Sequence, residues 1–166
     1  MIREAAEFAE RAHEGVYRKG TKIPYITHPM ETAAIVTAFT NEPEMIAAAL
    51  LHDVIEDAGV TKEELEEKFG SRVAFLVESE SEDKSRSWME RKGTTVEHLK
   101  SATRDEKILA LADKLSNIRS TVRDYLVLGD EVWQRFNQKD KEMQGWYYKG
   151  VAEALKEFKR AYILLV

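Results

Sequence analysis

The chain has 166 residues, with 43% hydrophobic and 33% charged side chains, the mixture of a folded domain with one sizeable core rather than of a disordered segment. It contains no cysteine, which excludes a disulfide framework, thiolate zinc sites and a cysteine nucleophile, so any metal must be held by His, Asp or Glu. A net charge of −5 and a pI near 5.5 speak against a nucleic acid polymer as partner and leave room for a small anion, met by a few convergent cations or a metal.

The opening MIREAAEFAERAHEG is amphipathic and predicts a helix over Ile2 to Glu14, with Ala5, Phe8, Ala9 and Ala12 on one face. Acidic residues run through it and it has no apolar h-region, so it does not read as a secretory signal. No run approaches a bilayer span, AAALLHDVIED being broken by charge, and the expected setting is cytoplasmic without a membrane partner. Residues 15–28, GVYRKGTKIPYITH, read as an ordered loop. Pro29 suits the first turn of a helix reaching to about Phe39 and restricts His28 before it to extended backbone.

Pro43 opens another helix, predicted to run unbroken through EMIAAALLHDVIED. Thr61 with Glu64 forms a capping-box pattern ahead of a short helix that Gly70 ends. SRVAFLVES is a further short helix, and ESESEDKSRS is the expected flexible segment. A helix follows from Trp88 to Lys100, although Gly93 costs about 1 kcal/mol relative to alanine. Thr103 with Glu106 repeats the capping pattern before a long helix ending near Gly129. DEVWQRFN and KEMQGWYYKGVAEALKEFKRAYILLV complete the chain as helices, and the aromatic group Trp133, Phe136, Trp146, Tyr147 and Tyr148 is expected to pack on the core. No linker, repeat or pair of alternating strands is present. The expected fold is all-α, one domain over residues 1–166 with about eight to ten helices.

The sharpest local feature is His52-Asp53-Val54-Ile55-Glu56-Asp57. On one helix, His52 sits over Glu56 and Asp53 over Asp57, with His52 and Asp53 about 100° apart around the axis. Such groups, directly after the apolar run Ile46 to Leu51, are costly at the border of a buried helix unless a partner such as a metal answers them. Alone, a His-Asp pair is more often a surface or hydrogen-bonded pair. His28, flanked by Pro24 and Pro29, is placed equally well as a ligand or as a packed loop histidine. Asp113, one turn before Asn117, borders the stripe Leu109, Ala112, Leu115, Ile118 and Val122, and needs a cation, several donors or a helix–helix salt bridge. Together, His28, His52, Asp53 and Asp113 offer two imidazoles and two carboxylates. That set suits Mn²⁺, Fe²⁺, Co²⁺ or Zn²⁺, and an octahedral ion such as manganese keeps places for water and substrate better than tetrahedral zinc does.

These residues and their spacing resemble the HD superfamily of metal-dependent phosphohydrolases, in particular the hydrolase domain of the RelA/SpoT enzymes and the stand-alone small alarmone hydrolases. FAERAHEGVYRKGTKIPYITHP, AALLHDVIEDAGVTKEELEEKFG, SWMERK and LALADKLSNIRS carry the resemblance, which covers about residues 1–125. The tail VWQRFNQKDKEMQGWYY is similar to bacterial stand-alone members. The resemblance implies a compact HD helical bundle with His28, His52, Asp53 and Asp113 as ligands of one divalent ion, Mn²⁺ being the expected one. It implies Glu56 and Asp57 as the acidic pair that orients and activates the attacking water. It also implies Arg18 and Lys19 as contacts to base and phosphates, Asn117 as a ribose contact, Ser120 where the family often has threonine, and Lys114 and Arg119 as phosphate contacts.

The chemistry is consistent with those roles. A divalent ion polarises a phosphoryl oxygen and lowers the pKa of its bound water, a glutamate one turn from a ligand can accept a proton, and a guanidinium stacks well on a purine. The expected reaction converts ppGpp or pppGpp to GDP or GTP plus pyrophosphate. No synthetase, TGS or ACT-like stretch follows, so synthesis is not expected. The alternatives are an HD phosphohydrolase for another nucleotide (an adenosine 3′-pyrophosphate alarmone, NADPH or a 5′-mononucleotide), a non-catalytic nucleotide-binding regulator and a purely structural helical protein. Against the regulator stands the intact Glu56-Asp57 pair. The sequence carries no signal of oligomeric state.

Overall fold

The computed structural model describes residues 1–158. In chain order the helices are α1 (Ile2–Ala12), α2 (Thr27–Val36), α3 (Pro43–Leu51), α4 (Val54–Ala58), α5 (Lys62–Phe69), α6 (Ser71–Glu80), α7 (Trp88–Ser101), α8 (Arg104–Leu128) and α9 (Lys141–Ala154), with 3-10 turns at Gly129–Arg135 and Lys156–Phe158. Among the described residues there is no strand; an isolated antiparallel bridge joins Tyr17 to Pro24. None of the described helices is long and apolar enough to cross a membrane. The fold is all-α, as the periodicity requires. The last residues of the predicted final helix, 159–166, lie outside the described residues, and most of DEVWQRFN falls in the 3-10 turn Gly129–Arg135 rather than in an α-helix.

The sequence of α3, PEMIAAALL, is apolar almost all round, and such a helix is stable only when surrounded. Met45 and Ala47 through Leu51 are buried, and α1, α2, α6 and α8 pack around them. α1 contributes Ala5 and Ala9, and α8 contributes Ile108, Leu109, Ala112 and Leu115 to this core. A smaller core of Leu99, Ala110, Leu111, Tyr147, Val151 and Leu155 joins α7 and α9 to α8. Val122 does not continue the buried stripe of α8: it is exposed, as are Leu126 and Val127 near the end of that helix.

Two local departures from the predicted elements shape the site. The helix expected to run unbroken from Pro43 is interrupted at His52 and Asp53, where α3 gives way to α4. The His52 ring takes a backbone carbonyl, Nδ1 donating to Ala49 O at 2.8 Å, and Asp53 sits at φ −98°, ψ −5°, the bridge region in which many active-site residues are found. Gly59, at φ +70°, then ends α4 in a left-handed conformation that suits glycine. His28, in turn, is helical rather than extended. It lies in the first turn of α2 with its N–H on Tyr25 O at 2.9 Å. Pro29 follows where the helix leaves backbone N–H groups without internal partners, so the proline removes no needed donor.

The 78–87 stretch, expected to be the flexible segment, makes specific contacts. Glu78 to Glu80 finish α6, and the Glu82 carboxylate accepts from Arg91, Lys92 and Thr95 at 2.9–3.0 Å. Both Thr103 and Ser87 close full capping boxes, for α8 and α7.

In the first of these boxes, buried Glu106 accepts from Thr103 N–H at 2.8 Å and Thr103 Oγ1 at 2.6 Å. Burial opposes its charge, but these donors and His98 outweigh it and hold the carboxyl below its ordinary range. A depressed folded-state pKa adds stability that is present above the unfolded value and vanishes as the pH falls through the folded one. Glu106→Gln is expected to lower the unfolding free energy in urea by about 1 kcal/mol at neutral pH. That deficit should close as the pH drops below the ordinary 4.5; a deficit constant with pH would contradict the assignment.

Candidate active site

Four side chains from three parts of the chain converge at the floor of a cleft. His28 comes from α2, His52 and Asp53 from the α3–α4 break, and Asp113 from α8. The two imidazole Nε2 atoms are 3.1 Å apart. His28 Nε2 lies 3.1 Å from Asp113 Oδ1 and 3.5 Å from Asp53 Oδ2, and His52 Nε2 lies 3.0 Å from Asp53 Oδ2 and 3.6 Å from Asp113 Oδ1. His28, His52 and Asp113 are 1–5% exposed. Each offers a ligand atom within 4.8 Å of the others'. The break after α3 matters here, since it turns Asp53 back towards His52.

The outer nitrogens are already committed. Ser116 Oγ donates to Glu31 Oε2 at 2.8 Å and therefore accepts from His28 Nδ1 at 2.8 Å; His52 Nδ1 donates to Ala49 O. In both neutral rings the Nε2 lone pair thus faces the other ring and two carboxylates. Burial disfavours charge on His52, yet Asp53 and Asp113 outweigh it and hold that ring well above its ordinary pKa.

Around this floor the cleft measures about 570 Å³ and is walled by Arg18, Lys19, Glu56, Lys92, Tyr147 and Tyr148 among others. Tyr25 donates to Asp53 Oδ2 at 2.7 Å and lies 3.4 Å from Asp57 Oδ2. Asn117 donates to Asp113 Oδ1 at 2.6 Å and accepts from Arg18 at 2.8 Å, so the i, i+4 relation on α8 ties the floor to the loop after α1. Glu56 is half-buried and its carboxyl is raised by burial and by Asp57, with Lys84 opposing.

The profile of the HD domain family matches residues 5–139. This chain belongs to the HD-domain family. It is similar to the guanosine-3′,5′-bis(diphosphate) 3′-pyrophosphohydrolase MESH1 of Xenopus tropicalis, at 40% identity over 126 residues, 74% of this chain and 70% of that protein. Among solved structures it is similar to a Listeria monocytogenes protein (36% identity, TM-score 0.73, 78% of this chain and 83% of that one). It is also similar to a metazoan ortholog of SpoT that hydrolyses ppGpp (27% identity, TM-score 0.70, 96% of this chain and 94% of that one). An HD domain implies a divalent metal, and the convergent lone pairs of His28 and His52 beside two carboxylates have the chemistry to hold one.

Not every residue singled out from the sequence meets in this HD-domain cleft. Arg18, Lys19, Glu56, Asp57, Lys114, Asn117 and Ser120 line it. Arg119 does not; it faces Glu31 on α2 at 3.6 Å. Lys114, although in the wall, is held between Asp113 and Glu80, and Asp113 outweighs the burial that would otherwise discharge it. Tyr25, Ser116, Glu80 and Lys84 escaped the sequence reasoning. Tyr25 sits inside the PYITHP block, where nothing in the spacing aims its hydroxyl at Asp53, and Ser116 reads as an ordinary helix residue. Of the C-terminal aromatics, Tyr147 is buried beneath Lys92, whose Nζ lies 5.0 Å from its ring, and Trp146 is exposed. Burial, followed by Asp113, pushes the Tyr148 hydroxyl up to about 12.

Ser116→Ala leaves His28 Nδ1 buried without its acceptor. Denaturant titration is expected to show a loss of about 1–3 kcal/mol, and side-chain ¹⁵N shifts should show the His28 Nδ1–H tautomer losing its dominance. Unchanged stability with an unchanged tautomer would refute this hydrogen-bond assignment.

Proposed function

We propose that this HD domain is a manganese-dependent hydrolase that removes the 3′-pyrophosphate of guanosine 3′,5′-bis(diphosphate) and its 5′-triphosphate counterpart, giving GDP or GTP plus pyrophosphate. The observation that carries the reading is the meeting of two imidazole lone pairs and two carboxylates at the floor of a nucleotide-sized cleft. The likeness to MESH1 and to the SpoT ortholog supports the substrate class.

In this reading His28, His52, Asp53 and Asp113 hold the ion. When bound, a divalent ion polarises a phosphoryl oxygen and makes water acidic enough to react near neutral pH. Glu56, with its raised pKa, takes a proton from the attacking water, and Asp57 orients that water. Tyr25, hydrogen-bonded to Asp53 and close to Asp57, keeps the carboxylates of floor and wall in register. Attack on the phosphorus that bears the 3′ oxygen breaks that P–O bond. The water oxygen leaves on pyrophosphate and a proton ends on the 3′ oxygen. Arg18, held by Asn117 and 5.6 Å from the Tyr25 ring, presents a planar cation for the purine and phosphates, with Lys19 beside it. Ser120 lines the same cleft.

Incubation of the Mn²⁺-loaded protein with ppGpp is expected to yield GDP and pyrophosphate in equal amounts by ion-exchange chromatography. Orthophosphate as the sole inorganic product, or no turnover on ppGpp beside turnover on an adenosine alarmone, would contradict the proposal. Asp53→Ala and His52→Ala are expected to lose bound metal and turnover together. Glu56→Gln is expected to keep its metal and lose about 10²–10⁴-fold in kcat; full activity in that variant would remove Glu56 from the mechanism.

A further inference from the structure

The two carboxylates just assigned to water activation ride on α4, a helix of five residues. So short a helix has little stability of its own; Ile55, Ala58 and Val60 pack on the core, and the polar face of its far end is held from the turn after α6. Lys84 Nζ donates to the Glu56 backbone carbonyl at 2.6 Å and to Asp57 Oδ1 at 2.8 Å, and lies 3.7 Å from Glu56 Oε1. The Glu82 N–H lies 3.3 Å from Glu56 Oε2. One ammonium thus meets an end carbonyl of α4, where a cation is favoured, and both acidic side chains.

That turn is itself anchored. The Glu82 carboxylate, only 10% exposed, is held by Arg91 Nη1 at 3.0 Å, Lys92 Nζ at 2.9 Å and Thr95 Oγ1 at 2.9 Å, all on α7. Arg91 and Lys92 are therefore engaged with an internal anion, and their bonds set where Lys84 begins.

We propose that Lys84 is a positioning residue for the Glu56–Asp57 pair, and that Glu82, clasped by α7, is the anchor that presents it. The inference rests on the proposed role of Glu56 and Asp57. It makes the Glu82-Asp83-Lys84 turn part of the reaction's geometry without contact to the reacting atoms. The groups facing Glu56 are Asp57 on its own helix and Lys84 and Glu82 from the turn. Lys84 and the Glu82 N–H favour its ionised form, whereas burial, Asp57 and the Glu82 charge oppose it. Removing the ammonium keeps Glu56 protonated to higher pH, so the acid limb of the rate profile moves up.

The test compares wild type, Lys84→Gln, Lys84→Arg, Glu82→Gln and Glu56→Gln, all Mn²⁺-loaded, with ppGpp as substrate. Lys84 is half exposed, so Lys84→Gln is expected to fold, which its circular dichroism melt checks. Its kcat is expected to fall about 10–100-fold, the scale of a misplaced catalytic group. KM and Mn²⁺ affinity, read by titration with paramagnetic resonance, should stay within about twofold, and the acid limb should move to higher pH, with Lys84→Arg restoring most of the rate. Glu82→Gln is expected to reproduce the kcat loss in milder form. A wild-type kcat and unshifted acid limb in Lys84→Gln would overturn the inference. So would a raised KM at unchanged kcat, which would make Lys84 a phosphate contact. If Glu56→Gln is itself fully active, the failure lies in the underlying reading of Glu56.

Discussion

Two imidazole Nε2 atoms 3.1 Å apart, each with its Nδ1 proton committed elsewhere, face two carboxylates in a place almost closed to water. Such a set is expensive in an apolar core unless a positive charge sits among it. The surrounding architecture can be understood as the means of holding it. α2 brings His28 from one side and α8 brings Asp113 from the other, both packed on the buried α3. The break after Leu51 lets two adjacent residues, His52 and Asp53, address the same point. Fixing the tautomers through Ser116 and the Ala49 carbonyl leaves the inner nitrogens as acceptors, the form in which imidazole binds a metal.

Above the floor, the cleft is lined with charges that mostly answer one another before any ligand arrives. Lys114 lies between Asp113 and Glu80, Arg91 and Lys92 hold Glu82, and Arg18 is steadied by Asn117. An acidic protein can in this way present oriented cations to a phosphorylated nucleotide without a broad basic surface. Groups fixed in advance need little reorganisation as charge develops during reaction. The same logic separates the tasks of the walls: the loop after α1 supplies a guanidinium and an aromatic ring, and α4 with the turn after α6 supplies carboxylates and their ammonium partner.

Much of this was legible in the residues themselves. The all-round apolar α3, the capping box at Thr103 and the i, i+4 pairing of Asp113 with Asn117 follow from helical periodicity and hydrogen-bond chemistry, and the structure has each of them. The convergence of His28 with His52 is not derivable from spacing alone, because it depends on how α2 and α3 pack; the family resemblance implies it. The break at His52 has no sequence signal, because every residue from Pro43 to Asp57 tolerates a helix; in the structure the His52 ring bonds the Ala49 carbonyl there. The steric rule for residues before proline predicts extended backbone at His28, and it gives way here to the first turn of α2. The acidic stretch around position 80 reads as flexible because its partners, on α7 and α8, are remote in sequence.

The central claim is that a single divalent cation sits where His28, His52, Asp53 and Asp113 meet. Crystals of the protein grown with Mn²⁺ and without chelator, measured on both sides of the manganese absorption edge, test it most directly. The account predicts one strong anomalous peak within coordination distance of both Nε2 atoms and of Asp113. Strong peaks elsewhere in the cleft, with that point empty and the two histidines bonded only to protein, would contradict it.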